Sequence, residues 1–438
     1  MTQYAITKVG NYGLINPVPE GILAKTLDKY MSYERPGKQF MSNPLWATVR
    51  LYKEKKGLFP WGLLHIANAV LKKYSEVKGL QYIPTLRNGT FGLNINISNL
   101  RPYQNDAINK LFINHGGVLN IPTGGGKTVT IIEYLKLINK KSLVIVPTLD
   151  IKRQWEEFKL INLDVSTYQN KKLIDKMKDY DVVVCDESHH VSSKTIYNLA
   201  MKTKTDAILV GISATNKRED GNDMKITAAL GQIVYSIERK DLIKQGYLAN
   251  AEVIYLKPKF STNKGPRDYQ TIYNEEIVNN IDRNNHIVIT AINQASRHRK
   301  VFIIVSRIDH GQMLFDQINE WGDITKKVIF MNGQSKDRNI DLEPFDIIIA
   351  TQIFDEGWNL PSLDTIILAA GGRSSIKLTQ RIGRVLRIKS DGRSARIYDF
   401  VDSPKHLKSH YLKRRALLEK DFSIIEVDDI NQSTLNSA

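Results

Sequence analysis

Asn120-Ile121-Pro122-Thr123-Gly124-Gly125-Gly126-Lys127-Thr128 decides how the rest of the chain is read. The apolar run Val118-Leu119-Asn120-Ile121 leads into it and the periodic stretch from Val129 to Leu137 leads away, which spells strand, glycine loop, helix. Glycines let the backbone wrap closely enough for several N–H groups to face phosphate oxygens, and a helix starting at the same place adds its positive dipole end. In that reading Thr123, Gly124, Gly125 and Gly126 cradle phosphates, Lys127 neutralises the outer ones, and Thr128 offers its hydroxyl to Mg²⁺. The strict phosphate-loop pattern wants glycine where Ile121 stands, so a chance glycine-rich turn competes; the strand-loop-helix context favours phosphate.

The composition of 438 residues, with 42% hydrophobic and 25% charged, is that of an ordinary globular protein with room for about three domains. Its formal charge of +16 is not ordinary and favours a polyanionic partner, nucleic acid before membrane. The single cysteine, Cys185, excludes an intramolecular disulfide and a cysteine-based zinc site, which fits a reducing compartment. Met1-Thr2-Gln3-Tyr4 lacks the layout of a signal peptide and no apolar run approaches a membrane span, so a cytoplasmic protein with no membrane partner is expected.

Residues 1–100 carry 13 Lys and Arg against 5 Asp and Glu, a surplus of +8 that is half of the total. Thr48 to Tyr52 alternates like a strand, Lys53 to Gly57 reads as a turn, and Leu63 to Tyr74 has helical spacing, outlining a small α+β domain over 1–95. Lys55 and Lys56 are candidate phosphate contacts. Phe59-Pro60-Trp61 either sets aromatic faces beside them, Trp61 against DNA, or packs in the core beneath a solvated loop.

From Leu100 onward apolar strands alternate with amphipathic helices, the signature of parallel sheets. Expected strands are Val118–Ile121, Leu143–Val146, Val182–Cys185 and Ile208–Ile212, then Val301–Val305, Ile347–Ala350, Thr365–Leu368 and Arg396–Phe400. The expected organisation is therefore α/β: two similar parallel-sheet domains, 96–247 and 248–415, behind the N-terminal domain, with a frayed tail over 416–438. The apolar run ending in Asp186-Glu187 delivers two carboxylates where open parallel sheets place ligands. Asp186 suits a magnesium ion held through water and Glu187 the orientation or deprotonation of a water attacking the γ-phosphate, although acidic strand caps are common without such a role.

The loop at 122–128, Asp186-Glu187-Ser188-His189 and Ser213-Ala214-Thr215 together resemble motifs of the superfamily-two helicases. The resemblance implies two RecA-like domains, ATP and Mg²⁺ as cofactors, and coupling of nucleotide state to nucleic-acid grip through Ser213, Thr215 and Gly357. It further implies that Gln104, within Arg101-Pro102-Tyr103-Gln104, reads adenine, and that Thr148, Arg307 and Thr351 touch DNA. The segments Gln154-Trp155 and Thr167-Tyr168-Gln169 stand where family members meet the sugar-phosphate backbone, with loop capping and packing as the alternative. Arg218-Glu219-Asp220, directly after the Ser-Ala-Thr segment, narrows the likeness to helicases of the XPB and UvsW type and makes Arg218 a DNA contact.

In the second half, Ala350 to Asn359 resembles the element linking DNA and nucleotide. Asn359 stands where aspartate is frequent, which puts the carboxylate's contacts in doubt. Gln380-Arg381-Ile382-Gly383-Arg384-Val385-Leu386-Arg387 places Arg384 and Arg387 on nearly one helix face. The resemblance makes them fingers on the phosphates and makes Gln380 a contact to the γ-phosphate or its water. The short basic N-terminus looks most like the UvsW-type helicases of bacteriophages, for which the compartment would be host cytoplasm. The expected activity is ATP-driven remodelling of branched or forked DNA by a monomer, as in Holliday-junction migration or fork reversal. A DEAD-box-like RNA helicase and a nucleotide-gated junction-binding switch are the alternatives.

Overall fold

The computed structural model describes residues 3–35, 47–79, 82–86, 94–187, 194–213, 223–260, 268–322, 327–332, 344–351, 362–371 and 393–427. They form two compact bodies, Met1–Pro122 with Gly126–Ile237, and Glu238–Ala438 with Thr123–Gly125.

The N-terminal segment builds its own small antiparallel structure. β1 (Ala5–Val9) and β2 (Tyr12–Asn16) form a hairpin, followed by α1 (Gly21–Tyr30) and the pair β3 (Ser32–Glu34) and β4 (Thr48–Arg50). β5 (Leu58–Pro60) then joins β2, and α2 (Leu64–Val77) covers the result. Between β4 and β5, Lys55 and Lys56 lie exposed on a short 3-10 turn that Gly57 ends at φ +62°. Phe59 is fully buried against Gly13, Ile15 and Leu63, so for this residue the core reading holds. The segment is not a detached module. Ala228, Met224 and Tyr197 of the following domain pack into its core, and Asn11 donates to the Thr203 carbonyl at 2.8 Å.

The remainder of the first body runs α3 (Pro102–Asn114), β6 (Gly116–Asn120), α4 (Lys127–Ile138), β7 (Ser142–Val146), α5 (Leu149–Glu156), β8 (Leu163–Thr167) and α6 (Leu173–Lys176). It continues with β9 (Val182–Cys185), α7 (Lys194–Ala200), β10 (Ile208–Ser213), α8 (Asp223–Leu230) and β11 (Ile233–Ser236). All six strands are parallel, in the order β11-β6-β10-β9-β7-β8. The interior strands β6, β7 and β9 are buried along their whole length, which is why their sequences are mostly apolar, with only Asn120 at the end of β6 and Ser142 at the start of β7 polar.

The second body contains α9 (Arg239–Lys244), β12 (Ala251–Leu256), α10 (Tyr269–Tyr273), α11 (Ile281–Ser296), β13 (Val301–Val305), α12 (Ile308–Trp321), β14 (Val328–Met331) and β15 (Ile347–Thr351). β16 (Thr365–Ile367), β17 (Ala395–Phe400), α13 (Lys405–Leu418) and β18 (Ser423–Val427) complete it. Among the described residues its seven strands are again all parallel, ordered β14-β15-β13-β16-β17-β12-β18. Two expected boundaries move. The division falls after Ile237 instead of after residue 247, because α9 belongs to the second body: Leu242 is buried there and Arg239 pairs with Asp421 at 3.1 Å. The expected tail over 416–438 begins with structure, since β18 pairs in parallel with β12. Residues 428–438 lie outside the described part.

Candidate active site

β6 ends where its neighbour ends. Ser213, the last residue of β10, is paired with Asn120, and its carbonyl accepts the Ile121 N–H at 3.1 Å, fixing the root of the glycine loop. Gly124 (φ +85°) and Gly126 (φ +76°) take left-handed backbone conformations, and a Cβ on Gly126 would lie 2.5 Å from Gln104 Nε2. Only glycine meets both demands at 126. Its carbonyl accepts from Thr130 N, Thr130 Oγ1 and, at 3.3 Å, from Gln104 Nε2. Lys127 and the half-buried Thr128 then open α4.

Across the sheet, β9 hands the chain to Asp186, whose N–H donates to the Ile145 carbonyl at 2.9 Å. The Asp186 carboxylate is nearly enclosed. One oxygen accepts the Glu187 N–H at 2.8 Å and the other accepts the Trp155 indole N–H at 3.0 Å. Burial, and secondarily the negative Glu187, push its pKa up to about 6, while Lys127 and the two hydrogen bonds pull the other way. Glu187 adopts φ +47°, a left-handed conformation that costs a non-glycine residue roughly 1–2 kcal/mol. That turn brings its carboxylate to 3.4 Å from Lys127 Nζ, with both side chains mostly enclosed. A lysine, a glutamate and an aspartate thus meet at the carboxyl ends of β6 and β9, beside a backbone cradle. The lysine is held by a partner that an incoming phosphate could replace.

Most of the other described candidate residues have internal partners; the buried Thr351 hydroxyl has no hydrogen-bond partner among the described residues. Gln104 is buried, and its Oε1 accepts the Arg101 N–H at 2.9 Å, so its amide spans from the start of α3 to the glycine loop. Thr148 caps α5, accepting the Ile151 N–H at 3.4 Å. Arg307 stands at the N-terminal boundary of α12, donates to Gln270 at 2.8 Å and lies over the Tyr273 ring at 5.5 Å. Thr351 ends β15 almost fully buried. Trp61 is half-buried against the N-terminal core, with the Lys8 ammonium 5.5 Å from its ring. Thr215, Arg218, Gly357, Gln380, Arg384 and Arg387 lie outside the described residues.

Trp155 corrects one expectation. At 1% exposure it is no surface contact for a nucleic-acid backbone; its indole is spent on Asp186. The signal was available in α5, where Lys152, Arg153, Gln154 and Glu156 surround one aromatic ring that carries a hydrogen-bond donor. Gln169 likewise donates to the Pro147 carbonyl at 3.0 Å.

Residues 97–172 match the family described as type III restriction enzyme, res subunit, and residues 283–389 match the helicase conserved C-terminal domain. The chain is a superfamily-two helicase. This helicase is 26% identical to putative helicase 22 of a Sulfolobus islandicus filamentous virus, covering 84% of this chain and 74% of that protein. It is 24% identical to the ATP-dependent DNA helicase uvsW of Enterobacteria phage T4, covering 74% of each. Among solved structures, S. cerevisiae Dbp5 bound to RNA and ADP BeF3 superposes with a TM-score of 0.56 at 14% identity, over 77% of this chain and 92% of that one. At that identity the likeness establishes the shared fold of two parallel-sheet domains in tandem. The helicase is an ATP-hydrolysing enzyme whose substrate class is DNA. No helix among the described residues is long and apolar enough to cross a membrane.

Proposed function

We propose that this helicase is a monomeric motor that uses ATP to remodel branched DNA, moving junctions or reversing forks. The observation that carries the branched-DNA reading is the seating of the basic N-terminal segment. Gly62, just ahead of α2, sits so close to α8 that a Cβ there would collide with the Thr227 and Ala228 carbonyls. A surplus of +8 is thereby fastened to the body that carries Lys127 and Glu187. Duplex arms held by Lys55 and Lys56 would move with the nucleotide site. The likeness to uvsW and the Arg218-Glu219-Asp220 segment support the same reading.

In the nucleotide site, Lys127 and the loop N–H groups bind the phosphates, Gln104 lies beside the cradle, and Glu187 orients the water. From the second domain, Arg384 and Arg387 are assigned to neutralise transition-state charge and Gln380 to contact the γ-phosphate or its water, while Ser213, Thr215 and Gly357 couple nucleotide to DNA. Among the described residues no cluster of three His, Cys, Asp or Glu could hold a metal by itself. The donor set fits Mg²⁺, which takes one or two protein oxygens and completes its shell with phosphate and water. Thr128 would supply one of those oxygens, Asp186 would hold the ion through water, and the ion would supply charge neutralisation on the phosphates. DNA contacts are assigned to Thr148, Arg218, Arg307 and Thr351.

Branch migration suits a compact motor, because each step re-forms a base pair for each one broken. The roughly 1.4 kcal/mol of stacking per step is returned, and ATP provides direction. The test is a panel of fork, three-way and four-way junctions, linear duplex and single-stranded RNA, scored for ATP turnover and product strands. Junction-dependent product with ATP supports the proposal. Turnover stimulated best by RNA, or junction binding without any turnover, rejects it.

A further inference from the structure

We propose that Trp155 is a positioning residue for the metal-side carboxylate, fixing Asp186 through its indole N–H and joining that carboxylate to helix α5. The inference rests on the assignment of Asp186 to Mg²⁺ made above. Two fixed donors, Trp155 Nε1 at 3.0 Å and the Glu187 N–H at 2.8 Å, engage different oxygens of the carboxylate. The plane of the group is therefore set from both sides before any ion arrives. The Glu187 donor is backbone and cannot be altered by substitution. Trp155 is a separate, replaceable device, reaching Asp186 from 31 positions earlier in the chain.

The ring is placed to hold and not merely to fill. It is 1% exposed on a helix whose neighbouring side chains are mostly charged, and it is among the largest fully buried side chains in the protein. α5 is capped at its start by Thr148 and packs along β7 and β8. A displacement of α5 along its axis would pull the indole from Asp186 Oδ2. The bond is thus a mechanical connection between the segment beginning at Pro147-Thr148 and the metal-side carboxylate. Donors that orient a metal ligand from behind typically account for 10- to 100-fold in metal affinity.

The test uses the full chain with Trp155→Phe, which fills the space and removes the donor. Binding of a fluorescent ATP analogue is measured with Mg²⁺ titrated in and, separately, in EDTA. We expect affinity in EDTA to stay within about twofold of wild type, while the Mg²⁺ concentration giving half of the metal-dependent gain rises about tenfold or more. In steady-state hydrolysis the same change appears as a raised Mg²⁺ requirement at saturating ATP. Asp186→Asn is run beside it. If Asp186→Asn loses the metal-dependent gain and folded Trp155→Phe keeps it unchanged, the Trp155 inference is wrong; if neither variant moves it, the assignment of Asp186 fails first. Should Trp155→Phe not fold, the wild-type ¹⁵N-indole spectrum decides. The slowly exchanging Trp155 N–H must shift with Mg²⁺ and ADP and not with ADP in EDTA, and a stationary signal overturns the inference.

Discussion

The carboxyl edges of the two sheets use charge in opposite ways. In the first, Lys127 and Glu187 meet at 3.4 Å, with 11% and 16% of their side chains exposed. In the second, Arg414 and Asp399 meet at 2.9 Å, and Arg414 also reaches Asp402 at 2.9 Å, all of them at or near zero exposure. Arg283, wholly buried, donates to the Ala369 carbonyl at 2.8 Å and lies 4.2 Å from the Phe400 ring centre. Two arginines and two aspartates thus cancel inside the second body and tie α11 and α13 to β16 and β17. Such a network holds shape. At the first edge Lys127 is held by Glu187, whose place a ligand could take, and this is what a nucleotide site requires.

Substitution separates the two uses. Lys127→Ala should cut ATP turnover by at least about 10²-fold with little loss of folding, since it removes a charge that faces ligand. Glu187→Gln should keep nucleotide binding and slow hydrolysis by roughly 10²–10⁴-fold. Near-normal turnover in the Gln variant would show that Glu187 does not orient the water. Arg414→Met should do the reverse. It removes the partner of Asp399, leaves Arg283 alone against two buried aspartates, and should cost about 3–5 kcal/mol, seen as a lower urea midpoint for the second body. An unchanged midpoint would mean that the network does not hold α13 in place.

A smaller effect comes from pH. Folding raises the Asp186 pKa from 3.8 to about 6, so the folded chain binds this proton more tightly than the unfolded chain does. The resulting stabilisation is complete below about pH 4 and is lost as pH climbs through 6; at pH 7.5 the ionised group weighs against folding. Asp186→Asn should therefore stabilise the nucleotide-free protein at pH 7.5, by roughly 1–3 kcal/mol, and the gain should vanish near pH 4. Melting curves of both proteins across pH 4–8 test the sign: a destabilised Asn variant at pH 7.5 would show that the hydrogen bonds and Lys127 outweigh the burial of charge.

How far the sequence could be read follows the same division between local and non-local causes. β6, β7, β9 and β10 were legible because a strand buried on both faces is predominantly apolar, and the glycine loop because its conformation constrains residue type locally. β8, β11 and β18 were not: they are partly exposed edge or near-edge strands, and Asp164 or Glu426 breaks the pattern. β12 was not among the expected strands, although Val253 to Leu256 is fully buried between β17 and β18. The site's residue types were readable and its partnerships were not. Lys127 with Glu187 and Trp155 with Asp186 are meetings that only the folded sheet creates.

The smallest expected effect concerns the N-terminal segment, and the structure determines which variant can measure it. Deleting residues 1–95 is unsuitable. It would uncover Ala228, Met224 and Tyr197 and remove Asn11 from the Met201 and Thr203 carbonyls, so lost activity could simply mean a damaged first body. Lys55→Glu with Lys56→Glu disturbs nothing buried, because both side chains are exposed on the turn. If these lysines hold a junction arm, the double variant should keep its ATPase activity. It should bind a four-way junction more weakly, and the slope of log affinity against log salt should fall by about 2, as roughly two phosphate contacts are lost. Junction processing should drop more than single-strand-stimulated turnover, since the turn is remote in sequence from Lys127 and Glu187. A salt slope and junction yield equal to wild type would take this turn out of DNA binding and leave the +8 surplus as a solvated surface.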